Sequence, residues 1–206
     1  MVRRTPGVMP PKRYRRLLTA AAREFASAGF ELASLNTIIR TCRMSKSSFY
    51  HYFESKEALF DAVVNEAATA LARDLNAPDP ATLGGPDFWE RVAEFVKHAL
   101  EVSARDEWYT DFGKLFYLPD VSAKQSPALR RTLAQIADWL ARTLAVGRRC
   151  GAVRDDLPPT LQAELVFAVL QAMDRWSLQH IHEFDAKSGK QLAMRQLDTL
   201  RRLLSR

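Results

Sequence analysis

Lys46, Ser47, Ser48, Tyr50 and His51 fall within six consecutive positions. Every one can donate a hydrogen bond and none is acidic. Donors of this kind suit phosphate oxygens and the acceptor-rich edges of bases, so the chemistry they offer is recognition of nucleic acid. Catalysis has no comparable constellation. The chain lacks a Gly-rich phosphate loop, a nucleophile elbow and a His-Glu-x-x-His pair, and isolated carboxylates such as Asp111 and Asp174 serve as ligand partners or surface charges as readily as acids and bases. No metal or cofactor is expected. Cys42 and Cys150 have no Cys or His at ligand spacing, and His180 and His182, two apart on a helix, point about 200° from each other. Cys42 reads as a small buried hydrophobe and not as a redox switch.

The donors need a rigid platform, and the flanking residues supply one. Ser34 precedes Leu35, Ile38 and Ile39, and Ser45 precedes Lys46 to Tyr50; serine is a favoured N-cap because its oxygen accepts a free N–H of the first turn. Two helices are predicted, each too short to stand alone, so they must pack on each other and on neighbours. Upstream, Tyr14, Leu17, Leu18, Ala21 and Phe25 form a helical stripe that stops at Gly29. Downstream, Ser55 caps a third packed helix through Leu59, Phe60, Val63 and Val64 to about Ala77.

These elements resemble the N-terminal signature of the TetR (tetracycline-repressor-like) family of transcription regulators. The resemblance rests on the Gly29-Phe30 pair, on Tyr50-His51-Tyr52-Phe53 and on Ser55-Lys56-Glu57-Ala58-Leu59, and covers roughly residues 14 to 64. It implies a helix-turn-helix reading double-stranded DNA, with Tyr50 as a phosphate contact and Ser47, Ser48 and His51 facing base edges. The residues expected at DNA are Arg13, then Ser34, Asn36 and Thr37, then Arg43, Ser45, Lys46, Ser47, Ser48, Tyr50 and His51, and finally Lys56. In the turn this chain departs from the family's pattern: Cys42-Arg43-Met44-Ser45 stands where Ala-Gly-Val-Ser is common, and Ser47 where a Gly soon follows. Arg43 would then take a positive φ, at a cost on the order of 1 kcal/mol, while gaining a charge for phosphate.

Charge follows the same division. Of a formal net +6, residues 1–60 hold eleven Lys and Arg against four Asp and Glu, while residues 61–206 are close to balanced. A basic surplus over a candidate reading head is the electrostatic footprint of a DNA binder. Arg3, Arg4, Lys12, Arg13, Arg15 and Arg16 lie among prolines, forming an arm that becomes helical after Pro11 and could follow the backbone or enter a minor groove. No run approaches the roughly 20 apolar residues of a membrane span, and no signal peptide is evident, so a cytoplasmic protein is expected.

Helical periodicity continues beyond a break at Asn76 to Pro86, without strand-like alternation, so the fold class is all-α. The division expected is an arm and DNA-binding domain over residues 1–64, with its last helix running on to about 77, and a helical effector and dimerisation domain over 65–206. Ser126 caps a helix with the stripe Leu129, Leu133, Ile136, Leu140 and Leu144. The helix from Pro159 to Ile181 carries two stripes, Leu161, Leu165, Val169, Met173 and Trp176 beside Val166, Phe167 and Leu170. Two greasy faces need two partners; one is the chain's own core and the other a second copy, joined by Leu192, Leu197, Leu200 and Leu204 of the last helix. The family resemblance implies the same homodimer through the last two helices, reading a palindromic operator. Trp108, Phe112, Phe116, Trp139, Met173 and Trp176 are candidates to line a cavity for a small hydrophobic or aromatic effector, although aromatics at this spacing also fill plain cores. A repressor released by such an effector is the favoured reading, and an activator or helical interaction module without ligand-controlled DNA release is the alternative.

Overall fold

Ser34, Ser45, Ser55 and Ser126 each accept a hydrogen bond from the backbone N–H three residues on, at 3.1 to 3.2 Å, and each opens a helix. The structure, a computed structural model, describes residues 9–118 and 126–205. Arg3 and Arg4 lie outside the described residues. The helices are α1 (Pro11–Leu32), α2 (Leu35–Thr41), α3 (Lys46–Tyr52), α4 (Lys56–Leu75), α5 (Phe88–Ser103), α6 (Glu107–Leu115), α7 (Pro127–Arg149), α8 (Pro159–Gln179) and α9 (Ala186–Leu204), with 3-10 turns at Pro80–Leu83 and Ile181–Glu183. Among the described residues no strand occurs, and the fold is all-α.

The chain divides into two units, one made of residues up to Leu71 with Glu107–Thr132, the other of Ala72–Asp106 with Leu133–Arg206. The first unit therefore takes in α6, which packs along α1 and buries Phe112 and Leu115. Nothing in α6 itself encodes which helix it will meet. The rest of this unit's core is aromatic. Phe60 meets Phe25 and Phe30 edge-on at 5.2 and 5.4 Å. Phe30 reaches that cluster because Gly29, at φ 79° and ψ 170°, breaks α1 before a last helical turn, a conformation open to glycine and costly elsewhere. Leu17, Leu18, Ile38, Phe49, Leu59 and Val63 are buried in the same unit.

The second unit is built on Phe88, Leu140, Leu144, Val153, Val166, Leu200 and Leu204. Gly147 permits the close approach at its centre, since a Cβ there would stand 2.6 Å from Val153 Cγ2 and 2.8 Å from Phe88 Cζ. Buried Gln162 ties the connection before α8: Arg148 Nη1 donates to its Oε1 at 2.9 Å, and its Nε2 donates to the Arg154 carbonyl at 2.9 Å. Three sequence expectations are corrected in this unit. Leu200 and Leu204 are buried in the chain's own core, because α9 packs on α5. Ile136, expected in the buried stripe of α7, is 47% exposed. On α8, Val169 and Met173 turn to the core, while Leu161, Leu165 and Trp176 are 43%, 46% and 43% exposed. At 100° per residue those three fall within about 60° of one another, on the side opposite Val166 and Leu170.

Candidate nucleic-acid interface

The turn between α2 and α3 is closed by two backbone bonds. Met44 N–H donates to the Ile39 carbonyl at 2.8 Å and Arg43 N–H to that of Arg40 at 3.0 Å, the pattern of a Schellman motif, with Met44 and Ile39 both buried. Such a motif places its C′ residue in the left-handed region, and Arg43 has φ 51°. Cys42 is buried beneath the turn. Burial pushes its thiol up, against the opposing charges of Arg16 and Arg13, which disfavours the reactive thiolate. Arg16 Nη2 donates to the Thr41 carbonyl at 2.8 Å, so α1 caps the end of α2. Because Arg43 sits in glycine's conformation while its guanidinium is exposed, Arg43→Gly is expected to act in opposite directions on the two properties. Stability should rise by up to about 1 kcal/mol, while the slope of log K for DNA against log salt should become shallower by about 1 unit for each chain bound. Thermal melting and a salt titration of DNA binding check the two halves separately.

On α3, Phe49 points inward with no exposure, stacking on Phe53 at 5.6 Å. Its neighbours Lys46, Ser47, Tyr50 and His51 are thereby left exposed, the helical consequence of one buried position in seven residues. Ser48 is half-buried and accepts a hydrogen bond from Arg13 Nη2 at 3.3 Å. Arg13 therefore works from the first turns of α1, supporting the reading helix. Ser34 and Ser45 spend their oxygens as caps; Asn36 is exposed in the first turn of α2, with Thr37 beside it. Arg40, exposed in the last turn of α2, was not among the sequence candidates. Its one signal is the helical spacing from Thr37.

Lys56 is the clearest correction. Its Nζ donates to the carbonyls of Phe30, Glu31 and Ala33 at 2.8, 3.0 and 3.5 Å and lies 4.7 Å from the centroid of the Phe30 ring. All three ammonium donors are thus committed to the C-terminal end of α1, where a cation also complements the helix dipole. Its place is structural, and the expected phosphate contact is withdrawn.

The six aromatic and Met candidates for an effector site are divided between the units. Trp108, Phe112 and Phe116 belong to the first, with Phe112 fully buried and edge-on to Phe116 at 4.9 Å. Trp139 and Met173 belong to the second; Met173 packs on the core, and Trp139 donates its indole N–H to the Pro78 carbonyl at 2.9 Å and meets Phe95 at 5.2 Å. Trp176 is corrected from a lining residue to an outward one, stacked on His180 at 4.2 Å. Within the second unit an open cleft of about 490 Å³ is lined by residues including Leu75, Pro78, Leu83, Phe95 and His98. Among the described residues no cluster of ligands could hold a metal, and no helix is long and apolar enough to cross a membrane.

Residues 17–63 match the model of the tetR family of bacterial regulatory proteins. The chain is 26% identical to the HTH-type transcriptional regulator YdgC of Bacillus subtilis over 166 residues, 76% of each chain. It is 42% identical to the HTH-type transcriptional regulator UidR of Escherichia coli over 59 residues, 28% of this chain and 30% of that one. Its fold matches that of the transcriptional regulator FadR of Bacillus subtilis, solved in complex with stearoyl-CoA, with a TM-score of 0.67 at 16% identity over 91% of this chain and 97% of that one. A helix-turn-helix with an exposed, donor-rich second helix and these likenesses agree on one conclusion: residues 17–63 form a helix-turn-helix domain similar to that of the tetR family of bacterial regulatory proteins.

Proposed function

We propose that this chain is a DNA-binding transcriptional regulator of the tetR family, a ligand-responsive repressor that binds a palindromic operator as a homodimer and is released by a small hydrophobic effector. The observation that carries the reading is that one chain bears both an exposed reading helix, α3, and an outward apolar row on α8, Leu161, Leu165 and Trp176. One reading helix touches a few base pairs; two related by a dyad read a palindrome. Lys46, Arg43 and Tyr50 would hold phosphate, and Ser47, Ser48 and His51 would read bases. Ser48 already accepts from Arg13, and the adjacent guanidinium favours its hydroxyl as a donor, so acceptor edges such as guanine O6 and N7 suit it.

For the effector, the open cleft of the second unit, where Leu75, Leu83 and Phe95 stand beside Arg91 and Glu94, supports the reading, and the fold shared with a regulator solved with stearoyl-CoA points to a guest with an apolar part. Trp139 touches two of its walls, Pro78 and Phe95. Selection of sites from random duplexes by the purified protein should return an inverted repeat with half-site centres about 34 Å apart or a multiple of that. A single unrepeated site would end the dimer reading. An apolar effector that shifts Trp139 fluorescence should then weaken operator binding by about 5 to 150-fold, and by linkage operator should weaken effector binding equally.

A further inference from the structure

Beside the reading helix, the first unit carries an open groove between α1 and α2, of about 490 Å³. Lys12, Arg15, Arg16 and Arg23 line it from α1, and Thr37 and Thr41 from α2. A single carboxylate, Glu24, shares the lining, and its Oε1 is already engaged by the Ser34 backbone N–H at 2.9 Å. Four cations against one carboxylate leave a groove that repels basic partners and attracts polyanions.

The cations are arranged, not scattered. Positions 12, 15, 16, 19 and 23 recur at helical spacing on one side of α1, with Thr19 between the charges, its hydroxyl turned onto the Arg15 carbonyl at 3.0 Å. Arg16 is fixed by its bond to the Thr41 carbonyl. Arg23 stands 3.5 Å from Glu107, but both side chains are largely exposed, at 68% and 89%, so that pair holds its cation weakly. Among the described residues no acidic side chain is bonded to Lys12 or Arg15. The partner these charges fit has negative charge at regular intervals along a line.

We infer that this groove is a second phosphate-binding surface, taking the sugar-phosphate backbone of DNA that flanks the half-site. The first helix of a helix-turn-helix crosses the backbone while the second lies in the major groove. Thr37 and Thr41 put the groove on the α1 side of that first helix, α2, where a strand leaving the major groove passes. The inference rests on the DNA-binding reading of α3 and extends it: the footprint reaches beyond the base pairs that α3 reads, and the added contacts are blind to sequence.

The test uses the full chain, the triple variant Lys12→Gln, Arg15→Gln, Arg23→Gln, and two duplexes carrying the site selected by the parent protein. One duplex is trimmed to the edges of the palindrome and the other extended by about ten base pairs on each side, one helical turn. For the parent, log K should fall with log salt more steeply on the extended duplex. In the variant the slope on the extended duplex should become shallower by about 0.9 per cation removed, near 5.4 for the six removed from a dimer, with base preference unchanged and the slope on the trimmed duplex little altered. The charge-keeping variant Arg15→Lys, Arg23→Lys should retain the parental slope, which separates lost charge from disturbed packing. Equal parental slopes on the two duplexes, or equal losses on both in the glutamine variant, would overturn the inference while leaving α3 as the reader. Failure of the parent to select any site would instead remove the reading on which it rests.

Discussion

Replacing Phe49 with alanine is expected to abolish operator binding by dissolving the platform and not by removing a contact. The ring has no exposure and meets Phe53 and Tyr50 at 5.6 and 5.2 Å. Its loss should cost about 3 to 5 kcal/mol in transfer and cavity terms, a large share of the roughly 5 to 15 kcal/mol that holds a native protein. The damage concentrates in α3, which has seven residues and no stability of its own. Phe49→Leu keeps much of the volume and should cost below about 1.5 kcal/mol. Hydrogen exchange of the α2 and α3 amides is the decisive measurement, because a chain of two units need not unfold in one step. Protection lost across both helices in Phe49→Ala, and retained in Phe49→Leu, is the expected pattern. An alanine variant with parental protection and parental DNA affinity would mean that Phe49 is not the keystone of this reading head.

The parts of the fold that were legible in the sequence are those in which a residue's neighbours along the chain decide its fate. A serine ahead of an apolar turn becomes a cap because its oxygen reaches an N–H three residues on, as Ser34, Ser45, Ser55 and Ser126 all do. The positive φ at Arg43 was legible for the same reason, since the C′ position of a helix ending in a tight turn has few conformations. What escaped was decided by partners distant in sequence. Lys56 reads as a free cation until the end of α1 is seen to lie across it, 26 residues away. Phe112 and Leu115 mark an inner face on α6, but nothing in that segment says the face meets α1. Trp176 and Met173 are three residues apart on one helix, yet one faces outward and the other the core. A stripe read at period 3.6 fixes a face only to within about a third of a turn, and on a helix with two apolar faces that margin spans both.

Leu165→Glu should separate the chain into monomers and lower operator affinity by orders of magnitude while leaving the fold intact. Leu165 is 46% exposed in the single chain, and a polar substitution at so open a site is worth within about 0.5 kcal/mol to the monomer. Leu161 and Trp176 flank it on the same line of α8, with the small Ala168 and Ala172 also exposed between them. If that row meets its own copy across a dyad, each added carboxylate is buried near the other, unpaired and of like sign. The effect on DNA follows from the arithmetic of two half-sites. If the dimer binds with about −12 kcal/mol, near nanomolar, a monomer retaining half of that keeps about −6, a loss on the order of 10⁴-fold. Sedimentation equilibrium reports the assembly and fluorescence anisotropy with the selected duplex reports the affinity, and melting of the variant within a few degrees of the parent shows that neither change is unfolding. The neutral Leu165→Ala should weaken both readouts less, since it deletes apolar contact without adding a buried charge. A glutamate variant that stays dimeric with parental affinity would show that α8 presents this row to something other than a second copy, and the palindromic reading would then need a different interface to bring two α3 helices together.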